Sequence, residues 1–339
     1  MTNLHTPDTS LNQGDTSSIP GLTFRLLSDP SDYEGMAAVY TESNLADGTG
    51  YAIPAGDLER VYFGDPNIDT GRDLLLAEVN GLMVSYTLTT WWDDVTDIRI
   101  YYHNTFTLPE WRDKGIEAAS LQRAERRLLE LAATHSTPQG RTFETVANNT
   151  SPERAVLLQT EGYEPVRQLH RMQRSNLNDI PTAALPDGIE ARPATPGQYK
   201  AIWDASLEAG ADEWGMSVFT EEDYEHFREG PFFHPDLWQV AWYGDQVVGS
   251  VLNYVVIEEN KMQNRKRGYI SALSVQRSWR KRGIARALLA RSLQTFRDNG
   301  MTEAALVLDG QDPRGCVHLC ESMGFRLKTQ LTYYRKPMP

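Results

Sequence analysis

The run Arg280-Lys281-Arg282-Gly283-Ile284-Ala285 puts three cations and two small residues where an apolar stretch, Leu273-Ser274-Val275, gives way to a helical pattern. That combination suits a pyrophosphate. The first N–H groups of a helix lack partners within it and carry the positive end of the macrodipole, and small residues let an anion reach the main chain. Cations beside them add charge-assisted contacts. A basic helix start that merely faces solvent is the alternative these six residues leave open. The two cysteines, Cys316 and Cys320, are the other candidates for chemistry. Four apart in a predicted helix, they share a face and are poorly placed for a disulfide. Without further Cys or spaced His they also fall short of a metal site. The expectation is a reducing compartment and no metal.

A strand, a basic turn and a helix are needed to hold the anion segment. Ile284, Leu288, Leu289, Leu293 and Phe296 fall on one face at the 3.6 period, which predicts a helix over 284–299, closed by Gly300. Around it the pattern predicts a strand near Ile189–Arg192, a helix from Gln198, a helical segment from Thr220 and a hairpin from Trp238 to Ile257. Strands at Tyr269–Val275 and Ala304–Leu308, a helix over Cys316–Met323 and a last strand to Arg335 complete the half. The same series is written once before. Thr23-Phe24-Arg25 pairs with Glu190-Ala191-Arg192, Asn80-Gly81 with Gly244-Asp245, Arg112–Ile116 with Arg280–Ile284, and Gly162-Tyr163 with Gly324-Phe325, at offsets of 162 to 168 residues. Duplication accounts for four such coincidences. The expected division is a disordered polar tail over 1–20, a domain over 21–175, a linker over 176–187 and a domain over 188–339.

The 339 residues carry 33 Lys+Arg against 46 Asp+Glu, a net charge of -13, which excludes a global basic footprint for nucleic acid. Residues 1–186 hold 14 basic and 26 acidic side chains, and residues 187–339 hold 19 and 20, so the acidity lies in the first half. No apolar run of about 18 residues is present to span a bilayer, and Met1-Thr2-Asn3-Leu4-His5 is unlike a signal peptide. A cytoplasmic protein without a membrane partner is expected.

The segment from Leu273 to Leu289 resembles the acyl-coenzyme A loop of the GNAT acetyltransferase superfamily, whose pattern is Q/R-x-x-G-x-G/A. Leu308 to Phe325 is similar to that superfamily's fifth strand, fourth helix and closing Gly-Phe. The resemblance covers residues 188–337 and, at lower fidelity, 21–174. As a tandem arrangement it is similar to mycothiol synthase, which acetylates a cysteinyl pseudodisaccharide, and to uncharacterised bacterial double-GNAT proteins. It implies an α/β (α+β) fold of two GNAT-like domains, each a mixed, splayed central sheet flanked by helices. It also implies acetyl-CoA as co-substrate. Leu273, Ser274 and Val275 would offer a strand edge to the pantetheine arm and polarise the thioester. Arg280, Lys281, Arg282, Gly283, Ile284 and Ala285 would hold the pyrophosphate, and Asp312, where many members place Asn, joins the cofactor set.

Direct transfer to an amine needs a base for the amine and a proton for the departing thiolate. Glu258 and Glu259, after the predicted strand, and Asp309, at the end of another, are the base candidates. Cys320 stands where many members place a tyrosine acid; a thiol can donate, though a buried helical cysteine also serves as a small hydrophobe. His318, Tyr333, Tyr334 and solvent are the other donors. Asp212, Glu213 and Trp214 fall where the family covers its acceptor pocket, and carboxylates beside an indole suit a cationic amine. Thr220-Glu221-Glu222-Asp223 reads as a helix cap. In the first repeat Asp113 and Glu117 would repel a pyrophosphate, and Leu158 takes the place of Cys320. The second domain is therefore expected to acetylate the primary amine of a small molecule, and the first to be degenerate, in a monomer or homodimer. A CoA-binding sensor or scaffold without turnover and a mycothiol synthase-like enzyme are the alternatives. The aromatic groups Trp91-Trp92 and Tyr101-Tyr102-His103 are either core or the lining of a lost cavity.

Overall fold

The computed structural model describes residues 19–136 and 140–339, so nearly all of the expected tail lies outside the described residues. The chain divides into two compact units, one of residues up to Val166 with Tyr333–Pro339, the other of Arg167–Thr332. Among the described residues no helix is long and apolar enough to cross a membrane.

The first unit contains β1 (Leu22–Leu26), α1 (Asp32–Ala46), α2 (Ala55–Phe63), α3 (Thr70–Asp73), β2 (Leu74–Val79), β3 (Leu82–Asp93), β4 (Ile98–Thr107), α4 (Ile116–Thr134), β5 (Gly140–Asn148), α5 (Pro152–Thr160) and the start of β6 (Glu164–Arg174). Its strands run in the order β1-β2-β3-β4-β5, antiparallel except for the β4–β5 pair. Asn80 and Gly81, at φ 52° and 82°, make the tight β2–β3 turn expected of an Asn-Gly pair.

The second unit contains the rest of β6, then β7 (Glu190–Arg192), α6 (Tyr199–Gly210), α7 (Glu221–Glu229), β8 (Gln239–Tyr243), β9 (Gln246–Tyr254), α8 (Ile257–Met262), β10 (Arg267–Val275), α9 (Ile284–Asp298), β11 (Glu303–Asp309), α10 (Cys316–Ser322) and most of β12 (Arg326–Pro337). Its strands run β7-β8-β9-β10-β11-β6, again with one parallel pair, β10–β11. The apolar stripe of α9 is buried as its period requires, with Ile284, Leu288, Leu289, Leu293 and Phe296 all at 1% exposure or less. Gly300, at φ 80°, lets its N–H reach Arg297 O and that of Met301 reach Phe296 O, which satisfies the last carbonyls of the helix.

Two features depart from the sequence reading. Each unit is completed by a strand written at the end of the other repeat. Residues 169–174 of β6 pair with β11 in the second unit, and Tyr333–Pro337 of β12 belong to the first, where Tyr334 is buried beside Tyr101 and Phe143. Alternation of apolar residues fixes which face of a strand is buried but not which neighbour it joins. The second departure is α8. The residues after the Trp238–Ile257 hairpin, which hold the base candidates Glu258 and Glu259, form a helical turn, and Glu259 is buried by it.

Candidate functional site

The parallel pairing of β10 with β11 runs from Arg267↔Glu303 to Ile270↔Leu306 and stops, although the strands continue to Val275 and Asp309. A register shift against β9 between Ile270 and Ala272 bends β10 at that point. Gln276 N–H bonds Val248 O across the β9 side. By alternation, Leu273 and Val275 turn their N–H groups toward the side β11 has left.

A cleft of about 520 Å³ lies along this edge and against the start of α9. Lys281 and Gly283 adopt φ 62° and 88°, turning the chain sharply into the helix, and Ala287 makes the first i→i−4 bond, to Gly283 O. The N–H groups before it are those a helix leaves unsatisfied. A Cβ on Gly283 would meet nothing within 4 Å, so glycine is needed there for its backbone angle and not for space.

The three expected cations divide. Lys281 lines the cleft. Arg280 is engaged as a clasp: Nε bonds Val275 O at 3.1 Å, Nη2 bonds Ala209 O at 2.7 Å, and Nη1 and Nη2 hold Asp212 at 2.6 and 2.9 Å. The Arg280 hydrogen bonds hold the Asp212 carboxyl well below the usual range. Arg282 folds over Trp279, 4.7 Å from the ring, and bonds Ser278 O, and it does not line the cleft. Arg286 and Arg314, which the sequence reading did not single out, do line it. Arg286 lies in the first turn of α9, three residues beyond Gly283, and that spacing was an available signal.

A second cleft of about 340 Å³ meets the first, and Glu213, Leu273, Ser274, Arg314 and Cys316 line both. Arg314 binds Asp312 at 2.8 Å, Glu213 at 3.1 Å and Asp212 at 3.2 Å. Asp312, expected with the cofactor, lines only the second cleft. Its carboxyl lies below the usual range because the Arg314 hydrogen bonds outweigh the upward push of burial. For Glu213 the balance is reversed: desolvation pushes its carboxyl upward against the attraction of Arg314.

Several expected catalytic residues are placed elsewhere. Glu259, 2% exposed, accepts from Tyr269 OH at 2.6 Å, pairs with Arg265 at 3.0 Å and lines neither cleft, because α8 turns it inward. Glu258 pairs with Lys261 on the exposed side of the same turn. Asp309 lines the second cleft but is held by Arg167 at 2.5 and 3.0 Å. Trp214 lines neither cleft, and the Arg167 guanidinium lies 5.8 Å from its ring. Thr220 and Asp223 form the reciprocal cap of α7. Tyr334 belongs to the first unit's core, and His318 is exposed and lines neither cleft.

Both thiols are free, and both have their pKa pushed up to about 12, Cys316 by burial and its contact with Asp312, Cys320 chiefly by burial. Cys320, 1% exposed, packs in the core with Ile284, Leu288 and Phe325 and touches the second cleft. Thiols held protonated this firmly are weak nucleophiles and weak proton donors at neutral pH.

The first unit repeats the loop but not the opening. Arg112 bonds Thr107 O, Asp47 and Ser43 O as Arg280 bonds Val275 O, Asp212 and Ala209 O. Lys114 lies over Trp111 as Arg282 does over Trp279. Asp113 and Gly115 take φ 56° and 88°, within a few degrees of Lys281 and Gly283. Arg280 is therefore explained by architecture, since its twin makes the same clasp where Asp113 and Glu117 stand in place of Lys281 and Ala285. β4 and β5 also part, after Tyr102↔Glu144. There Arg154, at the position of Cys316, donates from Nε to Val146 O at 2.7 Å and from Nη1 to Thr105 O at 3.0 Å, tying the two strands together. Of the aromatic groups, Tyr101 and His103 are core, Tyr101 bonding His135 at 3.0 Å and His103 bonding Tyr163 OH at 2.8 Å, while Trp91, Trp92 and Tyr102 are half-buried, with Trp91 packed against the first unit's core.

Comparison with known proteins agrees with this geometry. Residues 199–325 match the Acetyltransferase (GNAT) family. A mycothiol acetyltransferase of Geodermatophilus obscurus is 26% identical over 300 residues, 88% of this chain and 92% of that protein. Among solved structures, a GCN5-related N-acetyltransferase from Sphaerobacter thermophilus aligns with a TM-score of 0.74 at 23% identity, over 94% of this chain and 97% of that one. A tandem GNAT protein from the clavulanic acid biosynthesis pathway aligns with a TM-score of 0.68 at 13% identity, over 94% and 99%. The last two likenesses are of fold.

Proposed function

We propose that the second unit, whose residues 199–325 match the Acetyltransferase (GNAT) family, moves the acetyl group of acetyl-CoA directly to the primary amine of a small molecule. The observation that carries this reading is the meeting of two clefts at Leu273 and Ser274, where β10 and β11 part. The larger one suits the donor. Its pyrophosphate lies against the N–H groups that open α9, with Lys281 and Arg286 beside it. The pantetheine arm adds to the free edge of β10 as a strand would, using the N–H groups of Leu273 and Val275. One of these N–H groups then faces the thioester oxygen as charge develops on it.

The smaller cleft holds the amine. Among the described residues Glu213 is the carboxylate that lines both clefts, and desolvation raises its pKa above that of an ordinary glutamate, which strengthens it as a base. It takes the ammonium proton, the nitrogen attacks the carbonyl carbon, the C–S bond breaks, the acylated nitrogen gives its remaining extra proton to water, and the thiolate takes a proton from water. Neither thiol is needed. The test follows thiol release and the mass of the acetylated amine for wild type and Glu213→Gln. The expected result is a fall in kcat of about 10²-fold with acetyl-CoA affinity unchanged. Equal turnover by the variant removes Glu213 from the mechanism.

The relatives' name suggests a mycothiol-type acceptor as a second reading. It shares the donor site and differs only in what the smaller cleft must accommodate.

A further inference from the structure

We propose that the acceptor is a primary amine carrying an apolar, ring-sized body and no acidic group, an assignment that rests on the acetyl-transfer reading above. Its basis is the wall of the smaller cleft. Trp203 stacks on Phe227 with ring centres 4.5 Å apart and planes 25° apart, and Phe219 meets Trp203 edge-on at 5.6 Å. All three line the cleft, and Phe219 keeps 40% of its surface exposed. These rings come from α6, α7 and the segment between them. An apolar ring seated here gains area burial and the geometric preferences of aromatic pairs. A polyhydroxylated acceptor would have to turn hydroxyls toward side chains that offer them no hydrogen bond, which is costly.

Charge selects at the other end. Glu213, Asp309 and Asp312 line the cleft, and among the described residues Arg314 is the one Lys or Arg that does. Its guanidinium is already divided among Asp212, Glu213 and Asp312. An ammonium arriving at this end meets carboxylates. A carboxylate or phosphate on the acceptor meets the same carboxylates with, among the described residues, no uncommitted cation lining the cleft to receive it, so like-charge repulsion and desolvation both oppose it. With about 340 Å³ the cleft is at the small end of ligand sites, room for one ring and a short arm.

The experiment compares kcat/KM for phenethylamine, phenylalanine and glucosamine with acetyl-CoA held saturating, and measures acetyl-CoA binding separately by calorimetry. Phenethylamine should exceed the other two by about ten- to a hundredfold, the ratio expected for burying a ring and for rejecting an unpaired polar or acidic group. Phe219→Ala should lower kcat/KM for phenethylamine severalfold and leave acetyl-CoA affinity unchanged. Because Phe219 lies at the exposed edge of the wall, this variant tests the ring contact without opening a core. Equal or better use of glucosamine or phenylalanine overturns the assignment and leaves amine acetylation standing. Transfer to none of the three, with acetyl-CoA still bound, also overturns it. Loss of acetyl-CoA binding itself would bring down the donor site, and with it the reading beneath both.

Discussion

At the scale of single residues, the site is made of groups whose partners decide what remains for chemistry. Arg280 has the right type and position for a phosphate ligand, yet its guanidinium is committed to Val275, Ala209 and Asp212. Glu213 shares Arg314 with two other carboxylates and keeps 44% of its side chain exposed at the junction of the clefts. Its raised pKa sets a pH dependence. As the proposed base Glu213 must be ionised in the free enzyme, so kcat/KM should rise with pH through a value above that of an ordinary glutamate, and Glu213→Gln should lose that limb. A limb unchanged in the variant would assign it to another group. The thiols give the opposite expectation. With both held protonated, Cys316→Ser and Cys320→Ala should retain turnover within a few-fold, and kinetics should be sequential. Ping-pong kinetics lost in Cys316→Ser would overturn direct transfer.

At the scale of elements, the repeat keeps a loop and changes what stands behind it. The turn after β4 and the turn after β10 share their positive-φ residues, their arginine clasp and their cation over tryptophan; the pairing of the two turns was legible as Arg112–Ile116 and Arg280–Ile284, but the clasp was not, since Arg280 and Arg282 read there as pyrophosphate ligands. What closes the first opening was not legible. Arg154 and Cys316 lie in the first turns of corresponding short helices, and nothing in their sequence spacing says that a guanidinium there will reach Val146 and Thr105 on strands that have parted. The strand and the α9 helix were readable because burial periodicity is local. Glu259 and Trp214 were misplaced because orientation depends on packing, with α8 turning the one inward and the Arg167–Asp309 pair engaging the other. Arg154→Ala should cost about 2–3 kcal/mol of stability, the hydrogen bonds of a guanidinium bridging two strands, read as a lower denaturant midpoint. An unchanged midpoint would mean that Arg154 is not the tie.

At the scale of the whole molecule, each unit takes a strand from the far end of the other repeat. Arg335 holds the buried Glu144 at 2.7 Å and Lys336 holds Glu125 at 2.8 Å, both inside the first unit. Removal of residues 333–339 should therefore unfold the N-terminal unit, exposing residues 19–166 to protease, because a buried carboxylate left without its cation is costly. Protection of that region in the truncated chain would contradict the exchange. Acid should act on the same unit. Burial lowers the pKa of His103 to about 3, so between there and its unfolded value near 6.5 the unfolded chain binds a proton the folded one does not. Its contribution is full above that range and falls as pH drops, by up to about 1.4 kcal/mol per pH unit. A His103→Gln variant should flatten that slope. The central claim is that one donor site exists per chain, in the second unit. Calorimetric titration of acetyl-CoA into wild type and Ala285→Glu, which copies Glu117 of the first repeat, tests it most directly. One site in the wild type, weakened at least tenfold in the variant, is the predicted result; two sites, or a variant that binds as tightly as the wild type, would contradict it.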